Sequence, residues 1–213
     1  VQGRAGAPVT EAAQDGFSWH ILWLAPLPFV LQLSTAAVDE SFSTFFAIYL
    51  RDSGGVEQTA FIFMTIMGLG AIAMPYPVGW LSDRMDRVLL TGFLAALFAA
   101  GVWLLPHATV PGVQSYLFYF IWGGVAGALF SIGATLVGQF FRGAALALAS
   151  AAFSSMYSVG ILAGPPVTGL FMDRLGQDGL IYALAAMTLI ILPFLFWRQA
   201  VARSKTALIG EGD

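Results

Sequence analysis

Six long, predominantly apolar runs dominate this 213-residue chain and constrain its architecture more than any other feature. A helix needs about 20 apolar residues to cross the hydrocarbon core of a bilayer. Runs of that order occupy residues 19–50, 59–81, 88–105, 114–137, 144–172 and 180–197. The first and fifth exceed a straight crossing, which predicts tilt, kinks or ends outside the lipid. Pro26 and Pro28 place the start of the first helix proper near Leu27. Barrel strands would alternate apolar and polar residues, whereas these runs are apolar on all sides, so strands are not expected. Only 10% of the residues are charged, against roughly 25% in a domain that faces water. The chain reads as an all-α integral membrane protein whose solvent is lipid.

The connections hold nearly every charge. An even number of spans puts both termini on one side, together with Arg4, Arg84, Arg87, Arg142, Arg198, Arg203 and Lys205, while Arg51 and Arg174 fall on the other. The bias of basic residues toward the cytoplasm then predicts cytoplasmic termini. It divides the chain into a cytoplasmic linker over 1–18, a transmembrane bundle over 19–198 and a cytoplasmic tail over 199–213. The linker is rich in Gly, Ala and Pro and lacks the apolar core of a signal peptide. Trp19, Trp23, Trp80, Trp103 and Trp197 sit near helix ends, as an aromatic belt requires.

Two segments share one pattern. Pro75-Tyr-Pro-Val-Gly79-Trp-Leu-Ser-Asp83-Arg84 and Pro165-Pro-Val-Thr-Gly169-Leu-Phe-Met-Asp173-Arg174 both read P-x3-G-x3-D-R. They close the second and fifth runs, so three helices separate them and they emerge on opposite faces. That arrangement predicts a three-plus-three (3+3) inverted repeat of six transmembrane helices, a construction common in secondary transporters. Gly68, Gly70, Gly160, Gly164 and Gly169 predict close helix contacts, because packing of small residues drives association in lipid. Pro165 adds a point at which the fifth helix can bend.

The chemistry-bearing residues are Asp39 and Glu40. They lie about eleven residues before Leu50, which is roughly 16 Å along a helix and near the middle of a ~30 Å core. Carboxylates there must be protonated, face a wet cavity or pair with a cation from a partner or substrate, and this chain has no basic residue at comparable depth. They suit proton exchange or recognition of a cationic group. A break in the helix before Val38 would instead leave both at an interface. Gln32, Thr35, Asp39 and Ser43 approximate one polar stripe, with Glu40 and Thr44 beside it. Ser154, Ser155, Tyr157 and Ser158 form a polar patch on the fifth run.

The run Gly79-Trp-Leu81-Ser-Asp83-Arg84-Met-Asp86-Arg87 resembles the G-x-L-x-D-R-x-G-R loop of the major facilitator superfamily, with Asp86 where that family has Gly. Gly160-Ile-Leu-Ala-Gly164-Pro165-Pro-Val-Thr-Gly169 resembles its glycine-proline segment. The resemblance extends over about 34–198 and is strongest to the C-terminal six-helix half. It implies a conformational loop at Gly79, Asp83, Arg84 and Arg87, with helix packing at Gly160, Gly164, Pro165 and Gly169. It also implies a central cavity lined from the first and fourth helices, which adds Tyr119, Trp122, Phe130, Ser131 and Thr135 as candidates. Alternating access further implies a second six-helix half as partner.

Other chemistries find no support in the sequence. There is no cysteine, and His20 and His107 lie at helix ends without clustered acids, so no metal is expected. No phosphate-binding loop, nucleophile elbow or H-E-x-x-H motif occurs, so neither an enzyme nor a cofactor is expected. A net charge of −3 gives nucleic acid no purchase. The expected function is a proton-coupled secondary transporter half in a bacterial inner membrane, moving a small solute. The competing expectation is a non-transporting structural or assembly subunit of a larger membrane complex.

Overall fold

Apolar runs this long leave the backbone one way to satisfy its polar groups in lipid, which is to bond within each segment. The computed structural model describes residues 26–191, and among them every regular element is helical. In chain order these are α1 (Pro26–Asp52), α2 (Glu57–Ala73), α3 (Pro75–Ser82), α4 (Arg87–Leu104), α5 (Val113–Phe140), α6 (Ala144–Leu175) and α7 (Gly179–Leu189). Single 3-10 turns at Leu105–Ala108 and Gly176–Asp178 close α4 and α6. The expected linker (1–18) and tail (199–213) lie outside the described residues. So do 19–25 and 192–197 of the first and sixth runs, with Trp19, His20, Trp23, Trp197, Arg4, Arg198, Arg203 and Lys205.

Four stretches among the described residues are long and apolar enough to cross a membrane: Glu57–Ser82, Leu89–Ala108, Val113–Phe140 and Ala144–Leu189. Six separate spans were expected, and two physical features account for the difference. Helix α1 has the length, at 27 residues, but its mid-helix acids and polar stripe lower its hydropathy. Helices α6 and α7 follow each other through one 3-10 turn and form a single apolar stretch, although α7 folds back to pack on α6 and α1. Gly176 makes that reversal with φ +67°, a left-handed conformation that glycine adopts without steric cost.

Helix α1 is unbroken from Pro26 to Asp52, so no break precedes Val38. The second run divides at Met74, because Pro75 and Pro77 have no N–H to give the carbonyls one turn back. The backbone still passes through, with the Met74 N–H donating to the Gly70 carbonyl and Val78 to Met74. In α6, Pro165 and Pro166 are accommodated inside a continuous helix.

Two helix pairs pack most extensively, α1 with α6 and α2 with α5. Each is brought together by glycine. At Gly160 and Gly164 a β-carbon would meet the carbonyls of Leu33 and Ala37 on α1. At Gly70 it would meet the Phe120 carbonyl on α5, and Gly123 and Gly127 press in return on the Met67 and Ala71 carbonyls. Gly169 meets only the Phe45 ring at 3.7 Å, and Gly68 and Gly79 face open space.

The core between these pairs is aromatic. Phe42, Phe46, Phe63, Phe98, Tyr119 and Trp122 form one ring cluster, with Phe63 stacked on Tyr119 at 4.4 Å and Phe98 on Trp122 at 5.4 Å. The Tyr119 hydroxyl is fully buried there with no hydrogen-bond partner among the described residues. A buried unsatisfied hydroxyl costs about 1–3 kcal/mol. Tyr119→Phe should therefore keep or raise stability, read as the thermal midpoint in detergent. A clear fall in that midpoint would show that the hydroxyl is hydrogen-bonded after all.

Candidate functional site

The helix ends sort into two groups. Phe29 near the start of α1 touches Phe141 just past α5, at 6.3 Å between ring centres. Residues of the α3–α4 turn share a cavity with Leu136, Gln139 and Phe140 of α5. The start of α1, the α3–α4 turn and the α5–α6 turn therefore lie at one end of the bundle.

Asp39 and Glu40 stand at the middle of α1, both partly exposed, with Ser43 and Thr44 exposed one turn on. Neither carboxylate has an ion-pair partner among the described residues. Tyr157 of α6 is within electrostatic range of both. Phe130 of α5 joins this face, its ring 6.1 Å from that of Tyr157. With exposed Ser154 and Ser158, these residues form one polar, aromatic-edged face shared by α1, α5 and α6. The helix itself explains this setting. One side of α1 is taken up by α6 and α7 and another by the aromatic core, and the acids are left partly exposed.

The polar stripe does not stay on that face. Thr35 is buried and donates to the carbonyls of Leu31 (2.8 Å) and Gln32 (3.3 Å). Gln32 is 1% exposed, and its Nε2 has no hydrogen-bond partner among the described residues. Stripe geometry fixes angle, but burial depends on which neighbours are present at each level. Near its start, α1 is enclosed by α5, α6 and α7; at Ser43 it is not.

The fourth-helix candidates divide as well. Tyr119 and Trp122 belong to the core, where the Trp122 Nε1–H donates to the Phe98 carbonyl at 3.0 Å. Gly101 leaves room for that indole. Ser131 and Thr135 turn away from the acids. They line a cavity of about 230 Å³ with Pro75, Gly79, Asp83 and Arg87.

That cavity lies beneath the α3–α4 turn. The Arg87 guanidinium donates to Asp83 at 2.8 Å and reaches the Ser82 carbonyl at 3.4 Å. Arg84 lies over the exposed Trp80 ring at 3.8 Å, a cation–π contact at the helix end. Asp86 accepts from the Leu89 N–H at 3.2 Å and caps the start of α4. A glycine there would offer no such side-chain cap. A neighbouring cavity of about 460 Å³ shares Ser82, Asp83 and Arg87 and adds Gln139. The fold thus separates two places, a carboxylate face at the middle of α1 and a charged turn over a cavity at one end, and it sets Ser131 and Thr135 with the second. Among the described residues no cluster of side chains is suited to hold a metal.

The profile of the Major Facilitator Superfamily matches residues 10–211, nearly the whole chain. No curated protein matches it.

Proposed function

Because this chain belongs to the major facilitator superfamily, a family of membrane transporters, we propose that it forms one six-helix half of a proton-coupled secondary transporter. A second six-helix half completes the solute pathway and makes alternating access possible. The observation that carries this reading is the pair of carboxylates on α1, which the reading sets at mid-depth, partly exposed and without an ion-pair partner among the described residues. An ionised carboxylate at that depth is costly, so its natural states are protonated or bound to a cation. Both are steps of a coupled transport cycle.

The packing supports a 3+3 inverted repeat. Exchanging the first helix with the fourth and the second with the fifth turns the α1–α6 pair into the α5–α2 pair, and these are the two most extensive contacts. Gly70 and Gly160, which stand at the same place relative to the two P-x3-G-x3-D-R segments, both abut a partner-helix carbonyl. The orientation that suits the arginines places both termini in the cytoplasm of a bacterial inner membrane.

In this reading the α3–α4 turn is a conformational latch rather than a stability element. An exposed i,i+4 ion pair contributes about 0.3–0.5 kcal/mol. Asp83→Asn should therefore leave the melting temperature nearly unchanged while slowing solute exchange several-fold, in the maximal rate more than in KM. Equal rates for the variant and wild type would make the pair static.

A second reading is a non-transporting subunit, favoured by the same unpaired carboxylates, which a neighbouring subunit's cation would satisfy. Purification from native membranes in mild detergent separates the two. A stoichiometric six-helix partner supports transport, and a multi-subunit enzyme or pigment complex supports the alternative.

A further inference from the structure

We infer that the face carrying Asp39 and Glu40 binds an organic ammonium cation, with the rings of Phe130 and Tyr157 as aromatic walls and the carboxylates as counter-charge. The inference rests on the reading that this face lines the solute path, and it names the class of solute. It does not depend on proton coupling. Three helices meet here: α1 brings the acids, α5 brings Phe130 and α6 brings Tyr157. Tyr157 is within electrostatic range of both carboxylates. The two rings stand 6.1 Å apart at 78° to each other, so they form a corner rather than a stack. Their surfaces stay 46% and 36% exposed beside the acids. Rings set at right angles next to unpaired carboxylates are how proteins hold alkylated ammonium groups.

What this corner can and cannot do selects the ligand. Two carboxylates without an ion-pair partner among the described residues call for positive charge. A metal ion needs more ligands than they supply, and among the described residues no third acid or histidine joins them. A neutral polyol asks for donors as well as acceptors, and Ser158 already spends its proton on the Ser154 carbonyl at 3.2 Å. An alkylated ammonium gains from both parts of the face. Its charge is spread over the hydrogens of its methyl or methylene groups, which pack against a ring, and the contact strengthens as water is shut out.

The measurement is equilibrium binding to the full chain with its native partner in lipid nanodiscs, read by calorimetry with no pH gradient. The probes are tetramethylammonium, choline, tetraethylammonium and tetraphenylphosphonium. At least one should bind, and dimethylbutanol, the uncharged carbon isostere of choline, should not. Tyr157→Leu and Phe130→Leu should each weaken that binding about tenfold, the worth of a shielded cation–ring contact. Tyr157→Phe keeps the ring and should bind like wild type, while Asp39→Asn combined with Glu40→Gln should abolish binding. No binding of any probe cation would overturn the inference, and so would equal binding of choline and dimethylbutanol. Wild-type affinity in both leucine variants would overturn it too, because the carboxylates would then be a bare counter-charge. The cations and the isostere need only wild-type protein, so the inference is refutable even where a leucine variant does not fold. Cation binding without gradient-driven uptake would keep this site and sink the coupling, whereas gradient-driven uptake of a neutral solute with no cation bound would do the reverse.

Discussion

Gly160→Ala is expected to destabilise the folded bundle by about 1–3 kcal/mol, the usual cost of forcing a methyl group into a closed contact. The obstacle is backbone: the added carbon would meet the Leu33 carbonyl of α1, and the Ala36 β-carbon at 2.8 Å. Two helices would have to separate along their length, since no side chain can swing aside. Gly70→Ala should cost a similar amount, because the Phe120 carbonyl and carbon stand in the same relation to it. The sign is the informative part. Where a helical glycine has open space beside it, Gly→Ala stabilises by about 1 kcal/mol, and partly buried Gly92, with nothing within 4 Å, should follow that rule. Unfolding midpoints in detergent for the three variants check this. A stabilised Gly160→Ala or Gly70→Ala would mean that the close pairs α1–α6 and α2–α5 are wrong.

The second large effect is expected at the carboxylates. A one-unit pH gradient supplies about 1.4 kcal/mol per proton, which is a tenfold solute accumulation. Replacing the coupling acid with its amide keeps shape and hydrogen bonding but removes the exchangeable proton. At least one of Asp39→Asn and Glu40→Gln should therefore reduce accumulation in proteoliposomes to simple equilibration, while exchange at equal pH on both sides survives. Successive residues leave a helix about 100° apart, so the two substitutions should differ in size. Normal gradient-driven accumulation in both variants would remove proton coupling from these residues.

How much of this was legible before the fold is clearest in particular elements. The all-helical membrane class followed from run length, because lipid leaves few alternatives. The run 59–81 was expected as one helix, and its division at Met74, before Pro75 and Pro77, was not foreseen. What apolar runs do not carry is direction. A helix that is hydrophobic on every side has no polar face to reveal what it packs against. Trp122 and Ser131 both read as cavity candidates, yet one lies in the core with its indole bonded to Phe98 and the other faces the Asp83 turn. Counting back from Leu50 set Asp39 well inside a helix, and it lies inside the unbroken α1. The burial of Gln32, two turns away on the same stripe, depends on neighbours up to about 160 positions distant in sequence. Gly123, Gly124 and Gly127 did carry a signal in their spacing, which repeats the small-residue pattern noted on the second and fifth runs. The pairing of Phe130 with Tyr157 had no signal, since it brings rings from different helices to one level.

The most direct test of the central claim is solute uptake by proteoliposomes holding this chain with its native partner, across a solute panel, with an imposed pH gradient and with the gradient collapsed by a protonophore. Accumulation of at least one solute above equilibration, lost when the gradient is collapsed, is the expected result. Purification as a fixed component of an enzyme or pigment complex, with no gradient-dependent uptake of any solute, would contradict it.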